Sequence, residues 1–153
     1  MGVMTRWLNT DEQRTWRAFL AASRGVMDAL DRELQRDAGM PHAYYEILVR
    51  LSEAPDRRMR MSELAELTGS SRSRLSHAVA RLEAAGWVRR EDCPTDRRGQ
   101  VAHLTEAGFE TLAAAAPGHV EGVRRHLFDA LSPAQVDQLR RISETLAAHL
   151  TGS

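Results

Sequence analysis

The sequence SRSRLSHAVAR, residues 71–81, carries the side chains best suited to chemistry. Read as a helix, it sets Leu75, Ala78, Val79 and Leu82 in one apolar stripe. The opposite face then shows Arg72, Ser73, Arg74, Ser76, His77 and Arg81, with Ser71 as the N-cap before them. Guanidinium forks match phosphate oxygens and guanine edges, and hydroxyl and imidazole groups hydrogen-bond to either. That chemistry is recognition of a polyanion rather than bond breaking. Arg72 and Arg74 are the first candidates for phosphate or base-edge contacts, with Ser73 and His77 next. A second cluster, Asp96, Arg97 and Arg98, lies between Pro94 and Gly99, where a hairpin tip would carry both arginines to an adjacent minor groove or its phosphates.

Signatures of catalysis are missing from the sequence. Its six histidines, at 42, 77, 103, 119, 126 and 149, form no HExxH and no Cys/His spacing for a metal. No GxSxG, phosphate-binding glycine loop or CxxC occurs, and Glu106 and Glu110 on one helix face are an ordinary solvated pair. The expectation is a binding protein, not an enzyme, with no catalytic residue, metal or cofactor.

The elements that must position these groups follow from periodicity and caps. Asp11–Asp37 is predicted as a long helix, with Thr10 as N-cap and Gln13 completing a capping box. Gly39 and Pro41 separate it from a second helix, whose apolar stripe is Tyr44, Ile47, Leu48 and Leu51 and which ends at Pro55. Residues 57–60 are predicted as a basic linker. A short helix over Ser62–Leu67 stops at Gly69, Ser71 caps the next to Ala85, and Gly86 terminates it. Trp87–Arg90 is predicted as a strand, Glu91–Gly99 as a turn or loop, and Gln100–Leu104 as the returning strand. Thr105 caps a helix from Glu106 that Pro117-Gly118 kinks or interrupts. Ser132-Pro133 opens a last helix reaching Leu150.

Two short helices joined by Thr68-Gly69-Ser70 and followed by an arginine-rich hairpin describe a winged helix-turn-helix. The fold expected is mainly α with a small β-hairpin wing. The alternative reading of the same residues is a solvated arginine-rich surface on a small α/β module.

The 153 residues suit one domain, 1–153, of ordinary globular polarity. All 21 basic residues are arginine, balanced by 21 acidic ones. This neutrality is a cancellation. Residues 57–98 hold ten arginines against six acidic residues, a net of +4, while residues 1–56 and 99–153 each carry −2. Affinity for a polyanion follows that local distribution rather than the sum. A single cysteine, Cys93, cannot form an internal disulfide and points to a reducing compartment. Met1–Thr15 has no signal-peptide core and no window approaches 18 apolar residues, so the chain is expected to be cytoplasmic, with no membrane partner.

With these residues in view, the sequence resembles the MarR family of bacterial winged-helix regulators. The likeness is carried by MSELAELTGSSRSRLSHAVARLEAAGWVRRE (61–91) and, more specifically, by CPTDRRGQVAHLTEAG (93–108), and the helical frame extends it over residues 10–150. The resemblance implies a homodimer joined through helices 10–37 and 106–150, around a DNA-binding core at 57–105. Each subunit would place a recognition helix, with Ser71, Ser73, Arg74 and His77 along it, and a wing on a palindromic double-stranded operator. Asp96 would brace the wing, and Arg97 or Arg98 would enter the minor groove. Family members commonly repress transcription, and many are released by small phenolic or other aromatic ligands. Activation, or a purely protein-binding module, remains the alternative.

This fold tends to leave a pocket between its first two helices and its fifth. Trp16, His42, Tyr44 and Tyr45 lie in segments that could line it; otherwise Trp16 and Tyr44 are core and His42 an exposed helix start. Two positions depart from the family pattern. Arg60 stands where Thr or Ser is common, leaving the cap of the first short helix open, and Cys93 replaces an acidic residue before the wing proline. The oxidation-sensing branch carries its cysteine in the first helix, which has none here, so Cys93 is either a redox switch or a passive residue at the wing base.

Overall fold

A computed structural model describes residues 2–152, and for Arg97 and Arg98 the backbone only. Its helices are α1 (Thr10–Ala38), α2 (His42–Glu53), α3 (Met61–Leu67), α4 (Arg72–Ala84), α5 (Glu106–His126) and α6 (Pro133–Thr151). The strands β1 (Arg58–Arg60), β2 (Val88–Cys93) and β3 (Asp96–Leu104) form one antiparallel sheet in the order β1-β3-β2. This is the mainly helical, winged helix-turn-helix architecture that the sequence implies. No helix of the described residues is long and apolar enough to cross a membrane.

The chain divides into two compact units, Met1–Leu30 with Val123–Ser153, and Asp31–Gly122. The second unit contains the whole of 57–105. Its core gathers Leu48 and Leu51 of α2, Leu64 of α3, Leu75, Val79 and Leu82 of α4, and Ala102 and Leu104 of β3. The apolar stripe expected for α4 is therefore the face that holds it down. The α3–α4 turn and the exit from α4 into β2 close by the same device. Gly69 (φ 62°) and Gly86 (φ 81°) adopt the left-handed conformation just past α3 and α4. There, the N–H of Ser70 reaches the Ala65 carbonyl at 2.9 Å and that of Trp87 reaches Leu82 at 3.0 Å.

Several boundaries differ from the sequence expectation. Arg58–Arg60 is not a linker but a third strand, with Arg58 opposite His103 and Arg60 opposite Val101. Met59 packs against the core from it, an advantage that three residues are too few to reveal as periodicity. The predicted loop Glu91–Gly99 is mostly strand. Only Pro94 and Thr95 turn, and the register shifts between Asp92 and Cys93. Ladder hydrogen bonds override the local turn signals there. At the start of α1 the reciprocal cap is Asn9 with Glu12, each side chain accepting from the other's backbone N–H at 2.8 Å, rather than Thr10 with Gln13. Pro41 is the N-cap of α2, one position before the expected first turn. Tyr45, not Tyr44, completes the buried stripe of α2. Helix α5 runs through Pro117 without interruption; the missing N–H costs one bond in 21 residues. The cap of α6 is as expected, a complete Ser132–Gln135 capping box with proline behind it.

In the first unit the helices leave apolar side chains open. Trp16, Phe19 and Met27 of α1 are exposed, as are Leu139, Ile142, Leu146 and Leu150 of α6. Helix α6 buries no residue at all.

Candidate nucleic-acid interface

Helix α4 is positioned from both ends and from below. At its start the Ser71 hydroxyl accepts the Arg74 N–H at 3.2 Å, satisfying one of the unpaired amides of the first turn. Beneath, Leu75, Val79 and Leu82 are buried. All seven polar residues expected to face DNA, from Ser71 to Arg81, are exposed. The amphipathic division read from sequence is thus the division between core and solvent.

Two clefts flank this face. One, of about 330 Å³, lies between the start of α3, α4 and the wing, lined by Arg60, Ser62, Arg72, Ser76, Asp96 and Gln100 among others. Arg60 also donates to the Thr95 hydroxyl at 3.1 Å. It serves as the N-cap of α3 without a side-chain capping bond, which settles the open question at that position. The sequence did not mark Arg60, Ser62 and Gln100 as neighbours of the exposed face of α4. The run RRMR was the signal for the first, and nothing local marked the others. Asp96 lines this cleft, whereas the side chains of Arg97 and Arg98 lie outside the described residues.

The second cleft, of about 550 Å³, lies between α2 and α4, where Tyr44 and Glu46 face Ser73, Arg74 and His77 across Thr68–Ser70. Tyr44 is therefore placed beside α4. His42 and Tyr45 stay together, their rings 6.5 Å apart, and His119 of α5 joins them at 5.4 Å and 4.4 Å. Trp16 belongs to the other unit and stacks on Phe19. The sequence does not join His119 to this cluster, because 77 positions separate it from His42.

The His42 backbone N–H is held by the Asp31 carboxylate at 2.8 Å, and His119 Nδ1 is buried with no hydrogen-bond partner among the described residues. Burial, helped by neighbouring His42 and opposed by Glu33, pushes the His119 imidazole below its ordinary value near 6.5. A depressed histidine stabilises the fold only while neutral. Below about pH 6.5 the unfolded chain binds a proton that the folded chain resists, so stability is full above that pH and falls beneath it. His103 is depressed too, first by burial and then by Arg58 and Arg89, and adds in the same direction. We expect the melting temperature to drop between pH 7.5 and 5.5, and His119→Gln to flatten that slope without abolishing it. An identical slope in the variant would remove His119 as its source.

Cys93 is buried at the wing base, where its sulfur lies 3.4 Å from the Thr95 hydroxyl, and that hydrogen bond holds the thiol below its ordinary value.

Comparison with known proteins agrees with this geometry. A family model described as "MarR family" matches residues 38–99. The structure resembles Sco3205, a MarR family transcriptional regulator from Streptomyces coelicolor solved in complex with DNA. The TM-score is 0.92 and the identity 56%, over 95% of this chain and 92% of that one. It is similarly close to AbsC, a MarR family transcriptional regulator from the same organism, with a TM-score of 0.91, 48% identity and coverage of 97% and 100%. Among curated proteins it is 31% identical over 112 residues to the transcriptional repressor MprA of Escherichia coli (strain K12), covering 73% of this chain. The match spans only 63% of MprA's own length. These relatives are regulators, not enzymes. On this likeness in sequence and fold, the chain belongs to the MarR family of transcriptional regulators.

Proposed function

We propose that the protein is a homodimeric, sequence-specific repressor that binds a palindromic double-stranded DNA operator and is released by a small aromatic or phenolic ligand. The observation that carries the DNA reading is the exposed face of α4, where Arg72, Arg74, His77 and Arg81 stand free of the core beneath them. The contacts proposed are Ser71, Arg72, Ser73, Arg74, Ser76, His77 and Arg81 from the helix, with Arg97 and Arg98 from the wing braced by Asp96. Sco3205, 56% identical, was solved with DNA, and MprA is named a repressor. An electrophoretic or footprinting assay against the gene's own upstream region tests the reading. A discrete protected site supports it, and salt-sensitive binding without sequence preference overturns it.

Dimerisation is supported by the apolar side chains left open in the first unit. Ile142, Leu146 and Leu150, four residues apart, are 58%, 45% and 72% exposed, more than a soluble helix leaves without a partner surface. The occupant that fits is a second copy, whose two-fold axis would match a palindrome. Ile142→Asp with Leu146→Asp should yield monomers in light scattering and lower operator affinity by about a hundredfold, since one half-site is lost. A double variant that stays dimeric would remove α6 from the interface.

For the ligand, the cleft beside α4 offers the Tyr44 ring and the Arg74 fork together. An aromatic acid seated there would compete with DNA for Arg74 and His77, which would account for release. His42 and Tyr45, with His119, form a separate aromatic cluster that a ligand in the second unit could use instead.

A further inference from the structure

One ionic cluster lies outside the core and joins the end of α4 to β2. Glu83 sits in the last turn of α4, and Arg90 lies on β2 beyond the Gly86 turn. One Glu83 carboxylate oxygen accepts the Arg90 backbone N–H at 3.0 Å. The other accepts from its guanidinium, at 3.2 Å from Nη2 and 3.4 Å from Nε. The remaining nitrogen, Nη1, reaches back to the Ser76 hydroxyl at 3.5 Å. The guanidinium thus lies along α4 from its last turn to the middle of its reading face.

Exposed ion pairs contribute little as a rule, because water competes and two long side chains must be ordered. This pair differs in two respects. Its side chains are only 24% and 39% exposed. The carboxylate also grips the backbone of β2, an edge strand whose outward N–H groups have no strand beside them. A bond to the backbone fixes where the strand lies, not merely where a side-chain tip lies. Glu83 is accordingly held below the usual carboxylate range, chiefly by that backbone N–H.

We propose that Glu83 and Arg90 are positioning residues that lock the wing to the reading helix, so that major-groove and minor-groove contacts are presented at one fixed spacing. Neither residue need touch a base. If the two elements could shift independently, each would lose freedom separately on DNA, and the wing's share of affinity would be spent on that ordering. The clasp removes that cost in advance. This inference rests on the DNA-binding reading above, which assigns DNA contacts to both elements.

The test uses the full-length chain on two duplexes taken from its footprinted upstream site. One is complete, and the other is truncated to remove the flanking minor groove under the wing. Glu83→Gln and Arg90→Lys, each with melting temperature checked, should weaken binding to the complete duplex about fivefold to twentyfold. The double variant should be no weaker than the worse single one. On the truncated duplex all four proteins should bind alike, because the wing has nothing to contact. Equal losses on both duplexes, additive losses, or unchanged affinity on the complete duplex would each overturn the clasp. Absence of any site-specific binding by the unaltered protein would instead overturn the DNA reading beneath it.

Discussion

Replacing Arg74 with alanine should weaken operator binding about tenfold to a hundredfold per half-site, while the fold and the dimer persist. The structure makes this a clean substitution. Arg74 is exposed, its backbone N–H rather than its side chain carries the Ser71 cap, and alanine is the best helix former. No core contact is lost, because Leu75 next to it faces inward and Arg74 does not. The fall in affinity should therefore appear without a change in melting temperature. Its pattern identifies the contact. A base-reading arginine relaxes preference at one position of the site, whereas a phosphate contact weakens all sequences evenly and lowers the salt dependence by about one. Arg98→Ala on the wing should lower affinity in parallel. Unchanged operator affinity in both variants would defeat the assignment of the interface.

The largest expected loss of stability comes from adding one methyl group at Gly108. A Cβ built there would meet the Trp87 carbonyl oxygen at 2.1 Å and Leu104 Cδ1 at 2.7 Å. The first obstacle is backbone, held in place because the same carbonyl accepts the Thr105 N–H at 3.0 Å. Thr105 in turn accepts the Gly108 N–H at 3.1 Å and donates to the Gly86 carbonyl at 2.7 Å. The end of α4, the base of the wing and the start of α5 thus meet at one point with no space to spare. Gly108→Ala should cost about 2–3 kcal/mol despite alanine's better helix propensity, lowering the melting temperature by roughly 5–10 °C. Gly118→Ala, in the same helix with nothing within 4 Å, should be neutral or stabilising by up to about 1 kcal/mol. If the two substitutions behave alike, close packing at Gly108 is not what requires glycine.

These two sites also mark how far the sequence carried the argument. The face of α4 was legible because an amphipathic helix is a local pattern. Leu75, Val79 and Leu82 recur within eight residues, and Ser71 and Gly86 mark its ends. The glycine of LTEAG could be noticed as part of a motif, yet the reason for it, the Trp87 carbonyl, lies 21 positions away. Strand β1 was hidden for a related reason, since three residues show no periodicity and their partners are around His103. The same holds for Pro117, where a local helix-breaking signal was outweighed by the helix continuing on either side.

What the sequence determined by itself was the order of the helices, the caps at Ser71, Thr105 and Ser132, the side of α4 that meets the core, and a basic middle between acidic flanks. Each depends on residues within about a turn or on simple counting. Only the tertiary structure decided which separate segments meet: Glu83 with Arg90 across the Gly86 turn, His119 with His42 and Tyr45, Tyr44 with Arg74, and Gly108 with Trp87. These pairings arise when the core closes, because burying the stripes of α2, α3, α4 and β3 against one another fixes the polar groups at their margins relative to each other. No spacing within the chain encodes that closure, and it is what gives the arginine-rich helix its fixed neighbours.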